Sequence, residues 1–422
     1  MPAKFAPRHA VPERPSGIRH ARRRRTHRVL RGISLVTVAI LAFGASAAYA
    51  TYAMIYRNVN QADISGLLAR AEQPRPTPSK TPEHGDDPNA GKPVNILLLG
   101  SDWRGGENGK IGGNVTGGMR SDTAIVMHVS ADRSRVEMVS IPRDSMVKLP
   151  SCPTSNGKKT WAQDVDMFNN GFAYGYDTGH DLESAAACAW LTVETNTGVA
   201  LDAFAVVDFA GFQHMVRALN GVHICIPQAI KDKKAHLDLP AGYQKLSGRD
   251  ALAFARSRKN NLSDGSDLNR IGNQQRLVAA MAQEALSKNL LTDWTDLLGL
   301  LSAASRSLTT SMSVNDMAGL AYSMRSVRGG NITLMTIPVR TYPANHYRVE
   351  WTGEADTIWA NMAADIPMLT GTSQEPAPAT TVPAVDPSAT APATVEPVTP
   401  TPGSTKKAGR EAFTLDDTTA TC

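Results

Sequence analysis

The sequence lacks several patterns that mark common catalytic sites. None of its four cysteines lies in a C-x-x-C pair and its ten histidines form no H-x-x-x-H pair, so zinc chemistry has no support. No G-x-S-x-G turn is present to carry a serine nucleophile. The glycine-rich run at 105–111 is one residue shorter than a P-loop and has Ile111 where serine or threonine would hold magnesium.

Acidic residues are almost absent from residues 1–31, which contain ten Lys or Arg and only Glu13. Residues 32–56 contain no charged side chain, and 25 residues of helix exceed the roughly 30 Å of a bilayer core. We therefore predict a basic cytoplasmic arm at 1–31, a single-pass transmembrane helix at 32–56 and an extracytoplasmic remainder. The basic charge then flanks a membrane, which argues against nucleic-acid binding. A signal peptide cleaved after Ala48-Tyr49-Ala50 is the alternative.

Two further regions show no sustained apolar period. Residues 57–92 contain prolines at 74, 76, 78, 82 and 88 and are predicted to form a semi-extended linker. Residues 371–422 are rich in Thr, Pro and Ala and are predicted to be a disordered tail. Residues 93–370 remain as one large folded domain.

Strand-like and helix-like patterns alternate within 93–370. Val94–Gly100 is an apolar run ended by glycine, which is typical of a buried strand, and 123–129 and 136–141 repeat it. Asp181 is a candidate N-cap for a helix running towards Gly198. Helices are also predicted at 209–219, 277–286 and 290–302, and a strand at 222–226. The alternation predicts an α/β fold with helices around a sheet.

Acids and arginines recur where these strands begin or end and at one helix start. A single such run is usually a surface ion pair, but side chains at strand ends and helix N-termini commonly face one ligand crevice in α/β folds. The five runs are Ser101-Asp102-Trp103-Arg104, Arg120-Ser121-Asp122-Thr123, Ser140-Ile141-Pro142-Arg143-Asp144-Ser145, Ala255-Arg256-Ser257-Arg258 and Ser266-Asp267-Leu268-Asn269-Arg270.

The spacing of these residues suggests how they are presented. Arg256 and Arg258 are two residues apart, so on an extended segment both side chains face one way. Asp267, Arg270 and Gln274 are spaced as one stripe of a helix. Arginine forms paired hydrogen bonds to phosphate oxygens, and arginines that converge without carboxylate partners need an anion. The pattern indicates a pyrophosphate ligand.

The same runs resemble signatures of the LytR–CpsA–Psr family over residues 93–340. N-I-L-L-L-G-S-D, R-S-D-T, S-I-P-R-D-S, A-L-A-F-A-R-S-R and S-D-L-N-R occur in the family's order, and Gln274 follows. The resemblance implies an α–β–α sandwich with a central mixed sheet, an apolar groove for a lipid, and an enzyme of cell-wall assembly. The sequence departs from the family at Gly272-Asn273, where an arginine often precedes the glutamine pair.

The resemblance also assigns site residues. Asp102 and Asp122 would hold Mg²⁺, or Mn²⁺, because carboxylate oxygens suit a hard cation that bridges phosphates. The remaining residues would bind the pyrophosphate or act in catalysis, with Asp267 orienting its neighbours. This set comprises Arg120, Arg143, Arg256, Arg258, Asp267, Arg270 and Gln274.

The implied reaction transfers a polyprenyl-pyrophosphate-linked glycopolymer to peptidoglycan through a phosphodiester and releases polyprenyl phosphate. Positioning and charge neutralisation would carry catalysis. Three candidates for the general base stay open: Asp122, Asp267 and a metal-bound hydroxyl that would replace both. Two alternatives stay open: a hydrolase that passes the same substrate to water, and a non-catalytic lipid-glycan-binding scaffold.

The four cysteines can oxidise if they lie outside the membrane. Cys152 falls in the loop after the strand that ends at Ile141, and Cys188 falls in the next predicted helix. We predict that these two are bonded. Cys225 is then either buried and reduced or linked to Cys422.

Overall fold

The computed structural model describes residues 60–77, 91–112, 118–257, 267–287, 308–376 and 405–422, with six helical positions between 33 and 46. The predicted transmembrane segment 32–56 lies outside the described residues, apart from those six positions. Across the described ranges, no helix has the length and apolar character needed to cross a bilayer. The predicted helix at 290–302 and Arg258 also lie outside the described residues.

The strands are short and occur throughout the domain. In chain order they are β1 Asn60–Gln61, β2 Val94–Ser101, β3 Ser121–Val129, β4 Val136–Ile141, β5 Met146–Leu149, β6 Gln163–Met167, β7 Ala203–Val207, β8 Val222–Ile226, β9 Ile230–Asp232, β10 Leu237–Leu239, β11 Gly242–Leu246, β12 Leu308–Thr310, β13 Ile332–Thr336, β14 Val339–Tyr342, β15 Asn345–Trp351 and β16 Phe413–Thr414.

The helices alternate with these strands. They are α1 Ser65–Leu68, α2 Glu107–Gly112, α3 Phe168–Gly179, α4 Leu182–Thr197, α5 Phe209–Ala218, α6 Gly248–Arg256, α7 Asp267–Ser287, α8 Val314–Ser323 and α9 Gly353–Ala363, with 3₁₀ turns at Met324–Ser326 and Gly329–Asn331.

A mixed sheet forms the centre of the domain. Its eight strands lie in the order β1-β12-β7-β2-β3-β4-β13-β16. β2 is parallel to β7 and antiparallel to β3, and β4 is antiparallel to β3 and parallel to β13. The other strands pair in two-stranded sheets, β5 with β6, β8 with β11, β9 with β10 and β14 with β15. The predicted mixed α/β architecture is confirmed.

Helices cover both faces of this sheet because its central strands are apolar on both sides. Leu97 and Leu99 of β2 pack with α4 and α9 residues in one buried cluster. Ile96 and Leu98, which alternate with them, pack in a second cluster with α7 and α8 residues. Alternation of side chains along a strand produces this two-faced burial.

Local signals set the element ends as the sequence predicts. Asp181 precedes α4, and its side chain accepts a hydrogen bond from the Ser184 N–H at 2.7 Å. Gly198 ends that helix with φ +68°, a left-handed conformation that glycine adopts without a steric cost. Asn220 and Gly221, also at positive φ, turn the chain from α5 into β8.

The prediction that residues 57–92 form a linker is wrong for residues 60–77. β1 pairs with β12, and Ala62, Ile64 and Leu67 are buried in the core. Arg75 forms an ion pair with Glu194, with 2.7 Å between Nε and Oε2. The prolines follow these apolar side chains in the sequence. The predicted linker therefore combined a segment of the core with the proline-rich segment that comes after it.

The prediction that residues 371–422 form a disordered tail is also wrong for residues 405–422. Residues 405–422 pack on the domain, with β16 paired to β13 and Phe413 and Leu415 buried. Two disulfides are formed, Cys152–Cys188 as predicted and Cys225–Cys422, which was one of the two options for Cys225. The second bond fixes the last residue to β8.

Candidate active site

The predicted site residues converge at one edge of the sheet because of its topology. Asp102 directly follows β2, and Asp122 lies at the start of the antiparallel neighbour β3. Arg143 follows β4, two residues after Ile141. α7 begins at Asp267 beside the same edge, since Arg270 reaches Asp122. One end of three adjacent strands and one helix N-terminus therefore share a small volume.

A cavity of about 510 Å³ opens at this edge. Most of its lining is apolar and includes Leu98, Phe212, Met215, Val278 and Met281. Its polar lining includes residues singled out in the sequence, together with Arg104 and Asp208. The residues from the sequence motifs are Asp102, Asp122, Arg256, Arg270 and Gln274. The arrangement suits a ligand that joins a long apolar chain to an anionic group.

Asp102 and Asp122 form the acidic part of this lining. Burial raises the pKa of Asp102, and the negative charge of Asp122 raises it further, against a lowering by the Arg120 N–H that donates to Asp102 Oδ1 at 2.7 Å. Two carboxylates that disfavour each other's charge fit a shared cation. No group of three or more acids, histidines or cysteines is arranged for a metal within the described ranges. Mg²⁺ fits this donor set because it often binds through one or two carboxylates, waters and substrate phosphates.

Arg143 is held among carboxylates rather than among other cations. Its guanidinium donates to Asp122 Oδ1 at 2.8 Å, and its Nε lies 3.4 Å from Asp144 Oδ2 and 3.7 Å from Asp267 Oδ1. Burial alone lowers the pKa of Arg143, but the hydrogen bond and charge of Asp122 outweigh it and the pKa is raised. The guanidinium is thus fixed in position before any substrate binds.

Arg270 and Asp267 form the second part of this network. Arg270 is almost completely buried, its Nη2 lies 2.7 Å from Asp267 Oδ1, and it donates to the Asp122 carbonyl at 3.1 Å. The i, i+3 spacing on α7 makes the Asp267–Arg270 pair. The expectation of arginines without carboxylate partners therefore fails for Arg143 and Arg270.

Arg256 does not lie on an extended segment, as predicted, but is the last residue of α6. Ser247 caps that helix and the apolar side chains of 251–254 bury one face, so the helix continues to Arg256. The guanidinium lies 4.6 Å from the centre of the Phe209 ring. Burial lowers the pKa of Arg256, and the nearby charge of Arg104 lowers it further. Within the described residues Arg256 forms no ion pair, which suits an incoming phosphate.

The remaining predicted residues take different positions. Gln274 lines the cavity and its amide donates to the Ala255 carbonyl at 3.4 Å. Gln275 is buried and bonds the Ser140 and Thr336 hydroxyls and the Gly409 N–H, which is a structural role. Arg120 is exposed, and its backbone N–H donates to Asp102 Oδ1.

Three residues near the site carried no decisive sequence signal. Arg104 lines the cavity, with its Nη1 donating to the Gly112 carbonyl at 2.8 Å, although the sequence patterns assigned it no role. Phe209 supports Arg256 from α5. Arg348 of β15 donates to Asp144 Oδ1 at 3.1 Å. Phe209 and Arg348 are distant in the sequence from the motif residues and come close to them only in the folded protein.

Comparison with known proteins identifies the family. The model of the LytR_cpsA_psr family matches residues 53–364, and the chain belongs to this family. It is 31% identical over 265 residues to the cell wall biosynthesis protein LcpA of Corynebacterium glutamicum, covering 58% of this chain and 50% of that protein. It is 28% identical over 244 residues to the polyisoprenyl-teichoic acid–peptidoglycan teichoic acid transferase TagU of Oceanobacillus iheyensis, covering 58% and 66%. The match thus spans about half to two thirds of these relatives.

A solved structure has a similar fold. The crystal structure of protein gbs0355 from Streptococcus agalactiae superposes with a TM-score of 0.51 at 18% identity, over 65% of this chain and 88% of that one. At this level of identity the similarity concerns the fold.

Proposed function

We propose that this protein transfers a glycopolymer from a polyprenyl pyrophosphate carrier to a hydroxyl group of peptidoglycan. In the reaction, the bond between the glycopolymer phosphate and polyprenyl phosphate breaks and a phosphodiester to the acceptor sugar forms. Polyprenyl phosphate leaves, and the hydroxyl proton passes to a carboxylate. Asp122 and Asp267 both lie within 4 Å of Arg143 and are the candidate acceptors.

One observation supports this proposal most strongly. The apolar cavity carries three carboxylates, three arginines and Gln274 in its lining, which matches a lipid joined to a pyrophosphate and an associated cation. The names of the relatives, a cell wall biosynthesis protein and a teichoic acid transferase, agree with that chemistry.

The residues act by positioning and by neutralising charge. Arg256, Arg270 and Gln274 would hold the pyrophosphate at the entrance of the cavity, and Arg143 would neutralise charge on the transferred phosphate as the bond breaks. Mg²⁺ at Asp102 and Asp122, when bound, would offset phosphate charge. Arg258, beyond the described residues, remains a predicted pyrophosphate ligand.

The test is product analysis with a short lipid-pyrophosphate glycan and a peptidoglycan fragment. We expect a phosphodiester-linked product and polyprenyl phosphate. Free phosphorylated glycan formed equally with and without the acceptor would indicate a hydrolase instead. Tight binding of the donor without metal-dependent turnover would indicate a scaffold.

We expect Asp102→Asn to weaken the metal site. The amide keeps an acceptor for the Arg120 N–H but removes one negative charge from the proposed ligand pair. Mn²⁺ affinity measured by electron paramagnetic resonance should fall about 10-fold, and excess Mg²⁺ should restore part of the activity. Asp238→Asn is the control, since Asp238 is exposed and pairs with Lys231. Unchanged Mn²⁺ binding in Asp102→Asn would refute this assignment.

We further propose that the protein is anchored in the cell membrane with its folded domain outside the cytoplasm. The uncharged residues 32–56 after a basic arm support this topology. A reporter that fluoresces only in the cytoplasm, fused after Gly371, should give no signal, while a fusion before Gly32 should be bright. Bright fluorescence from the Gly371 fusion would contradict the proposed orientation.

A further inference from the structure

Arg143 lies on a chain segment that is bordered on two sides. On one side, a backbone N–H of β15 donates to the Asp144 carbonyl at 3.2 Å, and Ser145 forms a parallel bridge with Val349. On the other side, the first N–H groups of α3 donate to the carbonyls of Ser145 and Arg143 at 2.8 and 3.2 Å. The chain segment that carries Arg143 is therefore flanked by the β14–β15 hairpin and by the start of α3.

The hairpin presents an exposed aromatic side chain near the segment that carries Arg143. Tyr347 lies two residues before Val349, which bridges to Ser145, and Arg143 lies two residues before Ser145. Tyr347 is 75% exposed, and its ring centre lies 3.9 Å from that of His346. The next residue, Arg348, binds Asp144, which in turn lies 3.4 Å from Arg143. Tyr347 is thus adjacent to the network that holds Arg143.

The α3 side presents hydrogen-bonding groups. Asp166 accepts from the Tyr174 hydroxyl at 2.8 Å and from the Asn170 amide at 2.9 Å, and all three side chains are partly exposed. A sugar ring offers apolar C–H faces and a rim of hydroxyls. An exposed aromatic ring can stack on such a face, and carboxylate and amide groups can bind the hydroxyls.

The geometry of phosphoryl transfer favours this side of Arg143, away from the apolar cavity, as the place where the acceptor sugar binds. Attacking and leaving oxygens lie roughly in line across the transferred phosphorus. If the lipid phosphate leaves into the apolar cavity, the acceptor must approach from the side away from it. Arg143 is not among the residues that line the cavity. Its contacts lead instead to Asp144 and, through Asp144, to Arg348, which follows Tyr347 in the sequence.

We propose that the β14–β15 hairpin, with Tyr347 and Arg348, and the Asp166–Tyr174 pair bind the acceptor glycan strand of peptidoglycan next to Arg143. This inference rests on the proposed transferase function. It names the partner as a β-linked amino-sugar chain and assigns Tyr347 to stacking on one sugar ring.

Direct binding of a soluble peptidoglycan tetrasaccharide, measured by calorimetry on the intact protein, tests the site without turnover. Tyr347→Ala should weaken binding about 10-fold, while Tyr347→Phe, which keeps the ring, should stay within about 2-fold of wild type. Tyr243→Ala is the matched control, because Tyr243 is 71% exposed and stacks on His223 but lies on β11. It should bind the fragment like wild type.

The transfer assay adds a second readout. Tyr347→Ala should raise KM for the acceptor about 10-fold with a much smaller change in kcat, because stacking contributes before and during transfer alike. Wild-type affinity in Tyr347→Ala, an equal loss in Tyr243→Ala, or absence of fragment binding to wild-type protein would overturn the assignment. Fragment binding that depends on Tyr347 in a protein without transferase activity would support the site and refute the proposed reaction.

Discussion

Replacing Arg143 with alanine is expected to lower turnover by about 10³-fold or more, the range seen when an arginine that stabilises phosphoryl transfer is lost. The reason is geometric. The guanidinium nitrogens lie 2.8–3.7 Å from carboxylate oxygens of Asp122, Asp144 and Asp267. The group is therefore already in position when negative charge develops on the transferred phosphate. Arg143→Lys should recover only part of the rate, because lysine keeps the charge but loses the planar pair of donors.

Stability must be measured alongside turnover for these variants. Removing the cation leaves three carboxylates facing one another, so Arg143→Ala should also lower the free energy of unfolding, and Arg143→Lys less so. Arg325→Ala is the control, because Arg325 lies over the Tyr322 ring, away from these carboxylates. Near-normal, magnesium-dependent transfer by folded Arg143→Ala would refute the mechanism while leaving the family membership intact.

Gly272→Ala is expected to destabilise the protein by about 1–3 kcal/mol, although alanine is normally the better helix former. A Cβ at Gly272 would overlap the carbonyl oxygen of Ala408, so α7 and the C-terminal segment would have to separate. Gln275 also binds the Gly409 N–H at 2.8 Å at this crossing. Because Arg270 is two residues away, activity should fall as well. Urea unfolding gives the free energy.

Gly353→Ala is the matched control, since a Cβ there meets no atom within 4 Å and Gly353 begins α9. It should be neutral or slightly stabilising. Deletion of residues 405–422, with Cys225→Ser, removes the partner backbone, so Gly272→Ala should cost less than about 0.5 kcal/mol in that background. If the full cost persisted after the deletion, contact with the C-terminal segment would not be its cause.

Elements with a strong local signal could be predicted from the sequence. The strand at 136–141 and the N-cap at Asp181 form as predicted, and the turn at Asn220-Gly221 separates the predicted helix from the predicted strand at 222–226. The signals are short-range: an apolar run, a capping carboxylate, a residue that tolerates positive φ. The predictions for the two flanking regions, 57–92 and 371–422, were wrong in part. Their few apolar side chains, such as Leu67 and Phe413, are buried only by strands that are distant in the sequence.

In the candidate site, too, local positions could be predicted from the sequence, whereas contacts between distant residues could not. The strand-end positions of Asp102, Asp122 and Arg143 could be derived from the pattern, because adjacent strands share an edge. The partnership of Arg143 with Asp122 is a tertiary property, as is the packing of Phe209 under Arg256. The extended geometry expected for Arg256 was wrong because the capping signal at Ser247 outweighs the local charge pattern.

The outermost strands of the central sheet come from the two ends of the folded region. β1 lies at one edge and β16 at the other, and each is only two residues long. Unpaired strand edges invite pairing with other chains, and short terminal strands limit that exposure. A fragment cut at the boundaries predicted from sequence, 93–370, would lose both strands and expose longer edges at β12 and β13. The segments that resemble a linker and a tail in the sequence therefore protect the edges of the sheet from self-association.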